Sequence, residues 1–269
     1  MKKCLSIAGS DCSGGAGIQA DLKSFSANGV FGMSVITSVV AENTSRVISV
    51  LNIPEEEIKK QIDAIFEDIS VDGVKLGMLP TAGIISVVAE KLSEYNPPVI
   101  VCDPVMVATS GDSLSEEGTI GVLKEKLFPL VDLLTPNIPE AEAISGIKIN
   151  DENDMCRACE IIMNMGVKNV LVKGGHLSGD AVDILFTQQG MTKLSTKRVD
   201  SQNTHGTGCT LSSAITANLA NGMDMISAVK SAKDYITKAI ENSFNVGKGH
   251  SPVNHFYEYY NMKGPKTNV

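Results

Sequence analysis

The sequence predicts an α/β fold of three layers, in which a mostly parallel central sheet carries helices on both faces and an antiparallel hairpin at its edge. Short apolar or β-branched stretches alternate with helical stretches along most of the 269 residues, as in successive βαβ units. A late segment at 181–199 turns at Gln189-Gly190 and indicates the hairpin. Because no long linker or repeat interrupts the pattern, we expect one domain over 1–263 and a flexible tail at 264–269.

Strands are expected where apolar and β-branched residues cluster between turn residues. In chain order these are 5–8, 34–41, 73–76, 98–102, 131–134 and 169–172, with a further extended segment at 47–53. Helices are expected where apolar residues recur at helical spacing between start and stop signals. In chain order these are 16–28, 54–69, 81–95, 115–127, 139–145, 151–165, 207–220 and 225–242.

Composition narrows the class of function. The net charge of −8 argues against nucleic-acid binding, and no apolar run reaches the length of a membrane-spanning helix. The first residues fit a core strand rather than a secretory signal, so we expect a cytoplasmic protein that binds small molecules. Cys156 and Cys159 have CxxC spacing, but no second pair or nearby histidine accompanies them, which favours free thiols.

The segment 205–210 (HGTGCT) carries the strongest functional signal. Its glycines, Gly206 and Gly208, lie where a loop becomes a helix, and there the first N–H groups lack helical partners and the helix dipole is positive. We predict an anion cradle for a phosphate or a phosphoryl group in transfer. Cys209 falls in the first turn, where a thiol is easier to ionise. The alternative is a glycine-rich helix cap without chemistry.

The predicted strand ends support the functional interpretation. In parallel sheets ligands bind beyond the carboxyl ends of the strands, and glycine or polar residues follow each predicted strand here. Asn137 and Glu140, three apart at a helix start, suit Mg²⁺ on a nucleotide, although taken by itself this pair is better explained as a helix cap with an ordinary first-turn acid. A loose dinucleotide fingerprint at 15–20 (GAGIQA) invites an oxidoreductase interpretation, but the loop before it is too long for that fold.

With these residues assembled, the chain resembles the hydroxymethylpyrimidine/phosphomethylpyrimidine kinases of thiamine biosynthesis, within the ribokinase-like superfamily. The resemblance extends from about residue 5 to residue 257. The motifs that carry it are 7–11 (IAGSD), 13–23 (SGGAGIQADLK), 75–78 (KLGM), 103–106 (DPVM), 135–140 (TPNIPE), 173–176 (KGGH), 203–210 (NTHGTGCT) and 249–255 (GHSPVNH).

The resemblance implies ATP-dependent phosphorylation of 4-amino-5-hydroxymethyl-2-methylpyrimidine to its monophosphate and then to the pyrophosphate. It implies Mg²⁺ as cofactor and a homodimer. By the same resemblance, the anion hole comprises Gly206, Thr207, Gly208 and Cys209, with Cys209 as base for the substrate hydroxyl. Asp103, Asn137, Lys173 and Thr207 would bind ATP, and Asn137 and Glu140 would organise Mg²⁺.

The implied substrate residues are Gly9, Asp21, Glu42, Met78 and Val105. Position 42 departs from the glutamine expected in this family, whose amide would pair with the aminopyrimidine edge. An ionised Glu42 pairs well only with a protonated aminopyrimidine, so we expect an altered pH dependence of substrate binding.

Three other functions stay open at this point. Pyridoxal kinase is the sister activity, and Cys209 would then face an aldehyde. A catalytically silent nucleotide-binding regulator would keep the fold without turnover. A nicotinamide oxidoreductase would bind the reduced cofactor.

Overall fold

The central sheet has nine strands in this computed structural model, which describes residues 1–106, 116, 118–175 and 180–263. The strands are β1 (Lys3–Asp11), β2 (Phe31–Asn43), β3 (Arg46–Asn52), β4 (Gly73–Leu76), β5 (Ile100–Cys102), β6 (Leu133–Leu134), β7 (Val170–Lys173), β8 (Ala181–Thr187) and β9 (Gly190–Thr196). Their order is β3-β2-β1-β4-β5-β6-β7-β8-β9. The six strands from β2 to β7 in this order run parallel, whereas β3, β8 and β9 pair antiparallel.

The helices are α1 (Gly17–Ala27), α2 (Glu55–Phe66), α3 (Ala82–Tyr95), α4 (Thr119–Val122), α5 (Ile138–Ser145), α6 (Glu152–Met163), α7 (Thr207–Ala220), α8 (Met225–Glu241) and α9 (Tyr257–Lys263). Side-chain caps from Thr81 and Asp151 start α3 and α6, each by accepting a backbone N–H in the first turn. Gly146 ends α5 in the left-handed conformation that glycine adopts without strain.

The helices form two layers because neighbouring strand residues point to opposite faces of the sheet. Cys102 and Leu134 belong to a cluster with the apolar faces of α2, α3, α5 and α6. Their neighbours Val101 and Leu133 belong to a second cluster with α7 and α8. Each fully buried aliphatic side chain in these clusters contributes about 1.5–3 kcal/mol relative to exposure. The predicted three-layer fold is therefore confirmed.

Several predicted elements changed. Residues 47–53 were expected only as an extended segment, but β3 pairs with β2, so both edges of the sheet are antiparallel. The described part of the predicted helix at 115–127 begins with α4 and continues as a π-helical turn over Leu123–Leu127. Helix α9 was not predicted. Residue 115 and the predicted tail at 264–269 lie outside the described residues. Among the described residues, no helix combines the length and apolarity needed to span a membrane.

Candidate active site

The segment 205–210, predicted above as an anion cradle and called the anion loop from here on, lies at the start of α7. Gly206 is the N-cap residue with φ of 75°, a conformation that residues with a Cβ rarely adopt. A Cβ at this position would also collide with the carbonyl oxygen of Gly15, so the loop packs directly against the segment that leads into α1. Thr207 begins the helix, and its hydroxyl donates to the carbonyl oxygen of Thr204 at 2.7 Å. The first turn of a 14-residue helix is thus presented at a glycine-lined surface, as an anion site requires.

An ion pair faces this first turn. Lys173 Nζ donates to Asp103 Oδ1 at 2.7 Å, and the Thr135 hydroxyl donates to the same oxygen at 3.2 Å. A Cβ on Gly208 would lie 3.1 Å from Asp103 Oδ2 and 3.2 Å from Lys173 Nζ. Burial opposes the charge on Lys173, but Asp103 and Glu140 outweigh it and raise the pKa of its ammonium. Lys173 is therefore a permanent positive charge beside the helix N-terminus.

Asn137 and Glu140 form a reciprocal capping box at the start of α5. The Asn137 side-chain oxygen accepts the Glu140 N–H at 2.9 Å, and the Glu140 carboxylate accepts the Asn137 N–H at 2.8 Å. Helix capping, the alternative that the sequence left open, is therefore real. It makes Asn137 orient Glu140, while the part of Asn137 in organising Mg²⁺ stays a prediction.

Glu140 is more than an ordinary first-turn acid. Burial and the nearby Asp103 carboxylate raise its pKa to about 7, against the opposing effect of Lys173. The buried carboxylates of Asp103 and Glu140 thus lie near a single ammonium, that of Lys173. The two carboxylates carry more negative charge than this ammonium neutralises, and their oxygen atoms are hard ligands. Mg²⁺ prefers such oxygen ligands and usually keeps several waters, so Glu140 fits this ion.

Cys209 differs from its sequence-based expectation. The side chain is half-buried, and the Gly17 N–H donates to its sulfur. Burial raises the pKa of the thiol to about 11, although Lys75 opposes this increase. The prediction of an easily ionised thiol was therefore wrong, because desolvation exceeds the effect of the helix terminus.

The predicted substrate residues divide into two groups. Gly9 and Met78 are close together, since a Cβ on Gly9 would lie 3.3 Å from the Met78 sulfur. Val105 is half-buried in the turn that follows Asp103. Asp21, in contrast, has no exposed surface and accepts hydrogen bonds on both carboxylate oxygens from other side chains. Its predicted direct contact with substrate is corrected, because it lies beneath the site.

Glu42, predicted as a substrate residue, lies in a cluster with two side chains that were not predicted to be near it. Its carboxylate is grouped with Asp11 and His205, and their candidate ligand atoms lie within 4.8 Å of one another. His205 Nε2 is 2.9 Å from Asp11 Oδ2. Burial opposes the charge on Asp11, but hydrogen bonds from His205, Ser13 and the Ala16 N–H lower its pKa to about 2. Asp11 therefore joins the loop before α1 to the anion loop.

Asp11 also explains the loose dinucleotide fingerprint. The backbone N–H groups of Ser13, Gly15 and Ala16 donate to its carboxylate at 2.7–3.0 Å. In a dinucleotide-binding fold, glycine-loop N–H groups of this kind serve a pyrophosphate. Here they serve an internal carboxylate, which argues against the oxidoreductase interpretation. The missed signal was the position of Asp11 directly at the end of the first strand.

Comparison with known proteins agrees with this geometry. A family model described as phosphomethylpyrimidine kinase matches residues 11–254. The hydroxymethylpyrimidine/phosphomethylpyrimidine kinase of Rhizobium meliloti is 46% identical, over 95% of this chain and 97% of its own. The thiamine biosynthesis bifunctional protein ThiED of Geobacter sulfurreducens is 50% identical over 93% of this chain. This chain spans about half the length of such bifunctional relatives, 51% in the case of ThiED.

Solved structures give the same result. The phosphomethylpyrimidine kinase of Clostridium difficile has a TM-score of 0.80 and 49% identity, covering 89% of this chain and 100% of its own. The pyridoxal kinase of Bacillus subtilis, solved as an ADP complex, has a TM-score of 0.90 and 38% identity, covering 96% and 99%. Sequence, fold and site geometry together establish that the chain belongs to the phosphomethylpyrimidine kinase family.

Proposed function

We propose that the protein phosphorylates 4-amino-5-hydroxymethyl-2-methylpyrimidine with Mg-ATP, first to the monophosphate and then to the pyrophosphate. The observation that carries this proposal is the close approach of Gly208, in the first turn of α7, to the Asp103–Lys173 ion pair. Backbone N–H groups on one side and an ammonium on the other suit a phosphoryl group in transfer. Phosphoryl transfer asks mainly for positioning and charge stabilisation, which these groups supply.

Each residue on the donor side has a part in this reaction. Lys173 binds phosphate oxygens, and Asp103 holds its ammonium in place. Thr207 lines the nucleotide side of the loop. Glu140 holds Mg²⁺ directly or through water, in the orientation that Asn137 fixes. When bound, the metal would neutralise charge on the phosphates.

The acceptor hydroxyl faces Cys209 in this proposal. A thiol with a pKa of about 11 is mostly protonated at neutral pH, so only its small thiolate fraction can accept a proton. In a loose transition state the hydroxyl proton leaves late, when the new oxygen–phosphorus bond has made it acidic. Cys209 therefore positions the hydroxyl first, and its thiolate form takes the proton as the bond forms and becomes a thiol.

Gly9, Met78 and Val105 frame the pyrimidine ring, and Glu42 pairs with its amino edge. The absence of a side chain at Gly9 lets the ring approach β1, while Met78 supplies an adaptable apolar contact. Glu42 accepts from the 4-amino group and from a protonated ring nitrogen, as a bidentate, charge-assisted pair. This pairing favours the aminopyrimidine over pyridoxal.

Pyridoxal kinase remains the second candidate, because structures with that name superpose on 95–96% of this chain. Mass spectrometry of the products separates the two. The protein is incubated with Mg-ATP and the pyrimidine in one tube, and with Mg-ATP and pyridoxal in another. Pyrimidine mono- and diphosphate support the proposal, whereas pyridoxal phosphate alone refutes it.

The proposal includes a cytoplasmic homodimer. The β2–β3 edge exposes apolar side chains, including Ile48 at 62% and Leu51 at 68% of their surface. Such a patch on an edge strand is a liability unless it is covered, and a second copy of the chain would cover it. Light scattering of the wild type and of Leu51→Glu tests this, and a monomeric wild type would refute it.

A further inference from the structure

Lys75 is a completely buried lysine that the reaction described above does not use. It lies on β4, and its side chain has no exposed surface. Its ammonium donates to Asp21 Oδ2 at 2.8 Å, and that carboxylate also accepts from Ser6 at 2.5 Å and from Ser213 at 2.7 Å. Lysine is almost never fully buried unless it is paired, so this position is a costly one.

The geometry joins Lys75 to the helix junction at which Cys209 lies. Helices α1 and α7 meet through two contacts. On each helix the residue of the second contact follows that of the first by four positions, so both lie on the same helix face. Gly17 donates its N–H to the Cys209 sulfur, and one turn later Asp21 accepts from Ser213. Lys75 enters this junction from β4 by its bond to Asp21.

The space around the ammonium is closed. A Cβ on Gly77 would lie 2.8 Å from Lys75 Nζ, so the backbone after β4 passes directly over it. Water therefore screens its charge poorly, and a poorly screened charge acts strongly on its neighbours.

We propose that Lys75 is a positioning residue for Cys209: its buried ammonium, restrained by Asp21, stabilises the thiolate form of Cys209 that accepts the proton of the substrate hydroxyl. This inference rests on the proposed function for the identity of that hydroxyl. The hydroxyl oxygen bonds to the γ-phosphorus as the bridging phosphorus–oxygen bond of ATP breaks and ADP leaves. The proton passes to the Cys209 thiolate, which becomes a thiol, and the thiol later releases it to solvent.

The charges around the thiol agree with this assignment. The charged groups that act on Cys209 include Asp21 from α1, Lys75 from β4, Asp103 after β5 and Lys173 at the end of β7. After burial, Lys75 has the largest effect on the thiol pKa and lowers it, while Asp21 and Asp103 raise it. Burial opposes the charge on Lys75 itself, but Asp21, Cys209 and Asp103 outweigh it and raise its pKa.

The test measures the charge of Cys209 without ATP or pyrimidine. The rate of alkylation by iodoacetamide follows the thiolate fraction, and peptide mass spectrometry separates Cys209 from the other five cysteines. We expect Lys75→Met to slow alkylation at pH 9 by about tenfold or more, because an opposite charge nearby is worth at least about one pKa unit. Asp21→Asn should accelerate it by a similar factor.

Lys233→Met is the matched control, since Lys233 is also buried and paired with a carboxylate, Asp183, but on β8. Its alkylation profile should stay within about twofold of wild type. Equal rates in wild type and Lys75→Met, or shifts of the same sign in Lys75→Met and Asp21→Asn, would overturn the inference. If Lys75→Met does not fold, Asp21→Asn decides alone: faster alkylation supports the inference and an unchanged or slower rate refutes it.

The inference and the proposed function fail in different ways. An enzyme that shows the expected alkylation pattern but does not phosphorylate the pyrimidine refutes only the proposed function. An active enzyme whose Cys209 profile ignores Lys75 refutes only the inference. In the active enzyme, the acidic limb of the kcat profile should move up by about one pH unit in Lys75→Met.

Discussion

Gly208→Ala adds one methyl group at the point where α7 meets the Asp103–Lys173 ion pair. The φ angle of Gly208 lies outside the left-handed region, so its backbone accepts alanine. The new Cβ would lie 3.1 Å from Asp103 Oδ2 and 3.2 Å from Lys173 Nζ, closer than nearly all Cβ contacts. The ion pair must therefore move by a few tenths of an ångström, and the methyl group fills the space proposed for the phosphoryl group.

The expected effect on stability is small, whereas the expected effect on catalysis is large. Alanine is preferred to glycine by about 0.5–1 kcal/mol in a helix interior, and the smaller preference in the first turn, where Gly208 lies, partly offsets the tight contact. We expect Tm to stay within about 4 °C of wild type. Displaced positioning groups cost about 100-fold in rate, so kcat/KM should fall by about that factor, or ~2.7 kcal/mol of transition-state stabilisation.

Steady-state kinetics with ATP and the pyrimidine, together with thermal unfolding, measure both effects. Gly121→Ala is the control, because it adds the same methyl group in α4 with no atom within 4 Å of the new Cβ. Its kinetics should match those of wild type. A loss of less than about threefold in Gly208→Ala would refute the placement of the phosphoryl group beside this residue.

Three further predictions concern single side chains. Glu140→Gln keeps a capping acceptor but removes the charge, so the apparent KM for Mg²⁺ should rise about tenfold or more while Tm changes little; an unchanged KM refutes the metal role. Burial and Lys23 lower the pKa of His255 to about 3, so below about pH 6.5 the unfolded state binds a proton that the folded state does not. Between pH 6.5 and pH 5, the free energy of unfolding measured with urea should fall by about 2 kcal/mol more for the wild type than for His255→Gln. Equal decreases would refute the assignment. Glu42→Gln should change the pH dependence of KM for the pyrimidine, and an identical profile contradicts the proposed charged pair.

The fold was predictable where local pattern and tertiary structure agree. Helix α7 begins and ends at the predicted residues because a left-handed glycine precedes it and an apolar face runs along it. The pairing of β3 with β2 was not predictable, since Ile48 and Leu51 are exposed and leave no alternation of buried and exposed residues. Helix α9 is short, and its sequence carries no clear start signal.

The residues that line the candidate site were predictable from their positions along the chain, but the burial of each side chain was not. Asp103 and Lys173 follow from the rule that ligands bind beyond the carboxyl ends of parallel strands, and Gly208 follows from the glycine pattern at the start of a helix. How deeply a side chain is buried depends on tertiary packing, so the sequence could not show that Asp21 has no exposed surface. For Cys209 a local rule, the helix terminus, competed with desolvation by the surrounding chain, and only the structure shows that desolvation is larger.

A crystal structure with ADP, aluminium fluoride, Mg²⁺ and the pyrimidine would show where the phosphoryl group binds during transfer. Aluminium fluoride stands in for the phosphoryl group in transfer, so its position reports where the reaction takes place. We expect it about 3 Å from the backbone N–H groups of the first turn of α7 and from Lys173 Nζ, with the substrate hydroxyl beside Cys209. Aluminium fluoride bound away from Gly208 and Lys173 would contradict the account.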